Sequence, residues 1–478
     1  MTEVRDILGN GRRVLCQRIP VRCAIICDHE EQHSIRRMCH MMAEGRAGTP
    51  LGIHHTKKAM NKILLYSPDV VGHPRVYCRV IADALANSPC ELVIAMGFTE
   101  EAGLAHSPDI QPLATRRQVR LLDNREYSRS GAPHLTAEEL TRLQRALGVT
   151  TTLFIEADKS NAEFTRIATG AAPRLHGRNL GIFSNAAEWY PGEDSFTGVP
   201  RSMLAPTLRT TLGNIKRALF QYRQSPKYFY EKVILGARVL DEVLVKDERL
   251  ADWYGPPVYW MPEISRPVPG PETASEADEV RLREVELRAF LADNAGREPV
   301  LYFGDAAYYK GYDLFLQFVA ANPSTCAIHP GRTYDQQQRA YFQCDVEALR
   351  AKLNAEGRLY ETNAYVHIHR LKELYFKVVR LYVTTHRLAL SSSTVIQALE
   401  FGKPVLVPHR GLLGHRVRAH QLGGVYAYED LANLREQAEA LWHSNLDRFA
   451  PAALSFWQRF SDQSIQGFFR RRLLGPPE

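Results

Sequence analysis

The feature that most constrains this chain is a repeated alternation of short apolar runs with amphipathic stretches. Lys62-Ile-Leu-Leu-Tyr-Ser67 is apolar almost throughout and is stopped by Pro68. That is the pattern of a strand covered on both faces, as strands of parallel sheets are. Gly72-His-Pro-Arg75 is a turn, after which Val76, Val80, Ile81, Ala84 and Leu85 recur at helical spacing. Glu91-Leu-Val-Ile-Ala-Met96 is a second apolar run, ending at Gly97. Strand, loop, helix and strand in this order are the unit of a doubly wound α/β sheet. Further strands are predicted at Thr151–Ile155, Asn179–Phe183, Glu242–Val245 and Val258–Met261. A helix is predicted over Leu208–Tyr222, with Leu208, Leu212, Ile215, Leu219 and Tyr222 on one stripe. Its other face carries Arg209, Lys216, Arg217 and Arg223, either as a solvated surface or as one that meets a membrane or an anionic acceptor.

The pattern then stops and starts again. Ser265 to Thr273 (SRPVPGPET) is Pro-rich and polar, as a linker is. A charged helix follows over Ala274–Ala292, and Pro299-Val-Leu-Tyr-Phe303 opens a second α/β block. Its expected elements are a Gly304 turn, a helix from Tyr312, a strand at Thr325–Ile328, a helix around Lys372–Val379 and a strand at Leu381–Thr384. A helix over Leu454–Leu473 closes the chain, with Phe456, Trp457, Phe460, Ile465, Phe468 and Phe469. The expected division is an Arg/His/Cys-rich extension at 1–59, a Rossmann-like domain at 60–264, a linker and helix at 265–297, a second Rossmann-like domain at 298–450, and the closing helix at 451–478. The segment 100–148 gives no readable signal.

Composition narrows the function. No apolar run approaches the roughly 20 residues of a membrane span, and the first residues lack the order of a signal peptide, so a cytoplasmic protein is expected. A net charge of +7 suits anionic lipids or phosphorylated ligands without specifying either. No tract of clustered basic residues with stacking aromatics points to nucleic acid. Cys23, Cys27, His29, His33 and Cys39 are zinc-type ligands, but their spacing fits no standard finger. The alternative is an extension outside the fold, with Met60 as the real beginning. Cys78, Cys90, Cys326 and Cys344 read as ordinary reduced thiols.

Two runs carry the chemistry. In Leu390-Ser-Ser-Ser-Thr394 a hydroxyl-rich turn feeds a short helix with Val395, Ile396, Leu399 and Phe401; Gly402 stops it, and Pro404-Val-Leu-Val407 is the next buried strand. Hydroxyls and free N–H groups at a helix N-terminus are a natural phosphate seat. The alternative is capping alone, since Thr394-x-x-Gln397 fits a capping box. In the other run a strand ends at Gly304, and Lys310-Gly311 stands before the next helix. A lysine there reaches a diphosphate as a point charge, or is a solvated surface lysine.

These runs, in this order, resemble the C-terminal domain of group-1, family-4-like GT-B glycosyltransferases. Ile396-Gln-Ala-Leu-Glu-Phe-Gly-Lys-Pro-Val405 is similar to that family's Glu-Ala-x-Ala-x-Gly-x-Pro-Val pattern. Gly411 to Gly424 resembles its loop near the donor, and Asp430 with the helix after it fits the closing segment. The resemblance implies two Rossmann-like domains facing a central cleft, with the C-terminal helix crossing back to the N-terminal domain. It implies transfer of a sugar from a nucleotide-diphosphate donor to an acceptor (glycan, lipid-linked or small molecule), with no cofactor and no metal. On this basis Gly72, Arg75, Gly304, Lys310, Ser391, Ser392, Ser393 and Thr394 are assigned to the donor phosphates, and Gln397 to ribose or sugar hydroxyls. His73 and Gln397 are the catalytic candidates, and His367, His369 and Arg370 are placed near the nucleotide base. The basic helix leaves peripheral contact with the inner face of a membrane open.

The chain also departs from the pattern. The family's two glutamates, separated by seven residues, fall on Ala389 and Gln397. A glutamine still hydrogen-bonds a diol, whereas an alanine replaces nothing. The family's arginine after the first glycine is Asp305, and its N-terminal glycine pair is reduced to Gly72 followed by His73. Two alternatives therefore stand beside the transferase: a non-catalytic GT-B binding or scaffold protein, and a nucleotide-sugar 2-epimerase.

Overall fold

The computed structural model describes residues 61–69, 73–98, 110–183, 229–264, 273–334, 339–364, 366, 368–387 and 391–475. The cysteine- and histidine-rich extension, Gly72, the His73 side chain, the 208–222 helix, linker residues 265–272, His367 and Ala389 lie outside them.

Strand β1 (Asn61–Ser67) shows why its run is apolar throughout. Ile63 and Leu65 enter one hydrophobic core, and Leu64 and Tyr66 enter another on the opposite face of the sheet. The same sheet holds β2 (Cys90–Met96), β3 (Val119–Asp123), β4 (Thr151–Phe154), β5 (Arg178–Phe183), β6 (Glu242–Val245) and β7 (Val258–Trp260). All pairs are parallel, in the order β3-β2-β1-β4-β5-β6-β7. The order reverses between β1 and β4, and ligands of open α/β sheets gather outside the carboxyl ends of strands at such a reversal.

Strand β3 falls in the segment that gives no sequence signal. It lies at the sheet edge, with Val119 and Leu122 buried and Arg120 exposed, so it lacks a continuous apolar run. The helix Ala137–Leu147 in the same segment is fixed by a capping box between Thr136 and Glu139.

The C-terminal half repeats the plan. Strands β8 (Glu298–Leu301), β9 (Thr325–His329) and β10 (Leu359–Glu361) pair in the order β10-β9-β8. Strands β11 (Tyr382–Val383), β12 (Val405–Pro408) and β13 (Gly423–Tyr426) pair in the order β11-β12-β13. The two three-stranded sheets adjoin where β8 and β11 approach each other, and the strand order turns back there. The predicted strand Leu381–Thr384 is shorter than expected, because only Tyr382 and Val383 pair with β12.

Seven helices position the site: α1 (His73–Leu85), α2 (Ala274–Asp293), α3 (Tyr312–Ala321), α4 (Ser393–Glu400), α5 (Gly411–His420), α6 (Ala450–Trp457) and α7 (Asp462–Leu474). The stretch expected as a loop from Gly411 is thus largely helical. The single closing helix is also broken, because Ser461 is extended and caps α7 through Ser464 N. Ile465, Phe468, Phe469 and Leu473 of α7 enter the core beside β1 and β2. Arg470 donates to Ala84 O at the end of α1, at 3.0 and 3.1 Å. No helix among the described residues is long and apolar enough to cross a membrane.

Candidate functional site

The loops leaving β8 and β11 form one rigid edge. Gly304 and Gly311 have φ of 104° and 70°, values that favour glycine. A Cβ on Gly311 would stand 1.9 Å from Thr385 O, so the two loops touch backbone to backbone. Thr385 Oγ1 donates to Gly311 O at 2.7 Å, and Arg387 N donates to Tyr309 O at 2.9 Å. Behind them Arg387 is paired with Asp313 at 2.6 and 3.0 Å, with both side chains buried. Its guanidinium also lies 4.2 Å from the Tyr308 ring centre.

Lys310 is held inside this edge. A Cβ on Gly304 would lie 3.1 Å from Lys310 Nζ, so the glycine leaves room for the ammonium. Burial pushes the Lys310 pKa below the ordinary lysine value; Asp305 opposes this and Arg332 adds to it. The aspartate that stands where the family has an arginine is answered in space. Arg332, from the loop after β9, holds Asp305 at 3.0 and 2.7 Å and keeps its carboxyl below the usual range. Ala306 N bonds Arg332 O at 2.9 Å, tying the two loops together.

Gly304 is supported from below. The His329 ring, fully buried, puts Nε2 3.2 Å from Gly304 O and Nδ1 3.3 Å from Glu361. Burial alone would raise the Glu361 carboxyl. Contacts with His329, Arg350 and Tyr312 overcome that and hold it at about 2. Tyr312 and Arg350 both donate to Glu361 at 2.8 Å.

The hydroxyl-rich turn differs from a capping box. Ser392, not Thr394, is the N-cap of α4, and no side chain caps the helix. Thr394 is the second helical residue. Its hydroxyl turns inward, 2.9 Å from both Tyr382 Oη and Ser392 Oγ. Ser392 Oγ lies 3.4 Å from His386 Nε2, and His386 Nδ1 is bonded to Thr384 Oγ1. Burial, with Lys310 adding its charge, pushes the His386 pKa down to about 3, so the imidazole is neutral across the physiological range. Ser391 faces the other way: its Oγ donates to Glu263 of the N-terminal half, and Arg416 Nη1 lies 3.4 Å from it. Ser393 is partly exposed, and Gln397 is buried on the next turn of α4.

Gly304, Lys310 and Ser392 are thus linked through contacts that run by way of His386, with Ser391 next to Ser392 and the Thr394 hydroxyl against the Ser392 hydroxyl. His369 packs on Phe401, 6.3 Å between ring centres, and Arg370 is exposed. Arg75 lies on the first turn of α1, and its buried Nε has no hydrogen-bond partner among the described residues.

The facing edge belongs to the first sheet. Ser67 Oγ lies 3.5 Å from Glu156, and Lys159 Nζ lies 2.8 Å from both Asp69 and Glu156. Lys246, one residue past β6, is raised in pKa: burial would lower it, but Tyr77 and Glu263 face it and prevail. Arg416 of α5 joins the halves, reaching Glu248 at 2.7 Å and Lys246 O at 2.8 Å.

Sequence reasoning missed His386, Arg332, Glu263, Lys246 and Arg416. The first four follow strands by a few residues, so reading polar residues just beyond each strand end would have found them.

No family model matches the chain, and no curated protein does. Solved structures do match. Anabaena HepE in complex with UDP and glucose is 12% identical, over 87% of this chain and 100% of that one, with a TM-score of 0.51. Sucrose-phosphate synthase of Thermosynechococcus elongatus is 13% identical, over 87% and 99%, with a TM-score of 0.54. A glycosyltransferase of Rickettsia africae is 12% identical, over 88% and 100%, with a TM-score of 0.55. Identities this low speak for architecture. A seven-stranded parallel sheet followed by two adjoining three-stranded parallel sheets, in a chain that matches these structures along nearly their whole length, makes this a GT-B-type fold.

Proposed function

We propose that the chain is a glycosyltransferase that takes its sugar from a nucleoside diphosphate donor. The observation that carries this reading is the partly buried Lys310 where β8 and β11 approach each other, against Gly304 and near the uncapped start of α4. Solved structures of Anabaena HepE, which shares the fold, hold UDP and glucose, or UDP-glucose. In our reading the diphosphate lies on Lys310, the Gly304 backbone and the turn at Ser392 and Ser393, with Arg332 nearby. Negative charge builds on the diphosphate as the sugar leaves, and a preorganised cation in a low-dielectric crevice stabilises it without reorganising. The arriving anion reverses the depression of the Lys310 pKa, so binding and protonation reinforce each other. His386 stays neutral and holds Ser392 through a hydrogen bond. We assign Gln397 to the ribose side, Arg75 and the start of α1 to the outer phosphate, and the edge beyond β1, β4 and β6 to the acceptor.

A second reading, a non-catalytic binding protein, draws on one observation: the hydroxyls of Ser391, Ser392 and Thr394 are already engaged by protein groups. One experiment separates the two. Melting is followed with UDP and with other nucleoside diphosphates, for the parent and for Lys310→Ala, and UDP release from UDP-glucose is then assayed. A ligand at about 100 times its Kd adds about 2.7 kcal/mol. A shift lost in the variant, with UDP release, supports the transferase. A shift without release supports the binding protein, and no shift for any nucleotide sinks the donor site.

A further inference from the structure

We propose that Glu263, a carboxylate of the N-terminal half, binds the hydroxyls of the donor's sugar, an inference that rests on the donor-site reading above. Glu263 comes from Met261-Pro262-Glu263, just past β7, and is buried at the seam between the halves. It accepts a hydrogen bond from Ser391 Oγ, although 128 residues separate the two in sequence. The Lys246 ammonium and the Tyr77 hydroxyl face it from its own half. Arg416 reaches the same serine from α5.

These contacts form the end of a continuous line. Lys310 acts on His386, His386 Nε2 lies 3.4 Å from Ser392 Oγ, Ser391 precedes Ser392, and Ser391 touches Glu263. A sugar phosphate with its anionic end on Lys310 and its ring along this line meets Glu263 at the other end. Sugar hydroxyls donate, and an ionised carboxylate only accepts, with two oxygens to offer. Ser391 Oγ already marks where an alcohol docks on this carboxylate. The turn itself offers hydroxyls and a neutral imidazole, and the nearby carboxylate, Asp305, is held in two hydrogen bonds by Arg332. The strong acceptor on the line is therefore Glu263, supplied from the opposite half, so the sugar is recognised only when the halves meet.

The test compares UDP with UDP-glucose in the full chain, for the parent, Glu263→Gln and Glu263→Asp, by equilibrium binding. Melting curves confirm that each variant folds. Glu263→Gln is expected to weaken UDP-glucose by about tenfold or more while UDP stays within about twofold, the signature of one lost charge-assisted contact. Glu263→Asp keeps the carboxylate and is expected to fall between the two. Equal weakening of both ligands would make Glu263 a structural prop and overturn the assignment, and so would unchanged binding of both. A parent that binds neither ligand overturns the donor-site reading itself, and this inference with it.

Discussion

The two halves turn back in strand order in a similar way, yet the loops at the two places carry different chemistry. At the first edge, Asp69, Glu156, Asp158 and Glu263 surround Lys159 and Lys246 in a web of opposite charges. At the second edge, Lys310 is partly buried with Arg332 close by, and Asp305 is spent on the arginine. Topology alone puts a crevice at both places. The side chains differ: the proposed diphosphate seat at the second has a lysine and an arginine close by, and the first has carboxylates paired with lysines. The edges also differ in how deeply these two ion pairs are buried. The second is pinned by the buried Arg387–Asp313 pair, whereas Asp69–Lys159 at the first is more than a third exposed on both sides.

The strongest way to break this contrast is Asp313→Ala. It leaves the buried Arg387 with Glu429 as its remaining carboxylate, 2.7 Å from Nε, so the loss is expected toward the lower end of the about 3–5 kcal/mol that breaking a buried pair costs. Asp69→Ala, which opens an exposed pair, is expected to cost about 1 kcal/mol or less. Urea unfolding of both variants measures the difference. Equal losses would mean the deeper burial of the second pair adds nothing.

Next in size is the effect on anion binding. Lys310→Ala is expected to weaken nucleoside diphosphate binding by about 1.5–3 kcal/mol, the range for a hydrogen bond to a charged group. Lys159→Ala, the same change at the other edge, is expected to leave that affinity alone. If Lys159→Ala weakened the diphosphate as much, the assignment of the anion to the second edge would be wrong. Equilibrium titration with UDP decides it.

How much of this was legible in the sequence follows from where each residue finds its partners. β1, β2 and β4 announce themselves because both faces are covered, so their runs are apolar from end to end. β3 hides because its edge position lets Arg120 stay in water. β11 is only two residues long, although Thr384 N still donates to Leu406 O at 3.0 Å. Gly304, Lys310 and the serine turn were readable because local sequence shapes them. Arg332 and Glu263 stand just past strand ends, where a polar residue can be looked for, but their roles depend on distant partners: Asp305 is 27 residues from Arg332, and Ser391 is 128 from Glu263. The capping box at Thr394 matched as a string but failed in space, because Tyr382 drew the hydroxyl inward.

Proton uptake sharpens the comparison further, because the second edge holds a histidine that resists protonation. His386 is held at about 3 in the folded protein, whereas an unfolded histidine titrates near 6.5. The unfolded chain therefore binds the extra proton, so stability is complete above about pH 6.5 and falls as the pH drops toward 3. The slope contributed by one proton is at most about 1.4 kcal/mol per pH unit. Glu361, held at about 2, adds its own loss only below its ordinary value near 4.5. Between pH 6.5 and 4.5 the histidine can thus be read apart from it. His386→Asn is expected to flatten the stability curve there, and an unchanged slope would mean that the imidazole already protonates in the folded state.

The smallest effect tests whether Arg332 belongs to the site or merely to the surface. The Arg332–Asp305 pair is exposed, 60% and 38% by side chain, so Arg332→Ala is expected to change stability by no more than about 1 kcal/mol. Its influence on the ligand is expected to be larger than its influence on the fold. Without Arg332, the Asp305 carboxylate is free to act on Lys310 and on any anion beside it, and UDP affinity should fall by less than for Lys310→Ala. Arg332→Ala combined with Asp305→Asn removes that carboxylate too, so most of the lost affinity should return. A double-mutant cycle measures this coupling directly. If the double variant binds no better than the single one, Arg332 contacts the anion itself. If neither variant alters binding, the pair only fastens two loops, and the positive character of the second edge rests on Lys310.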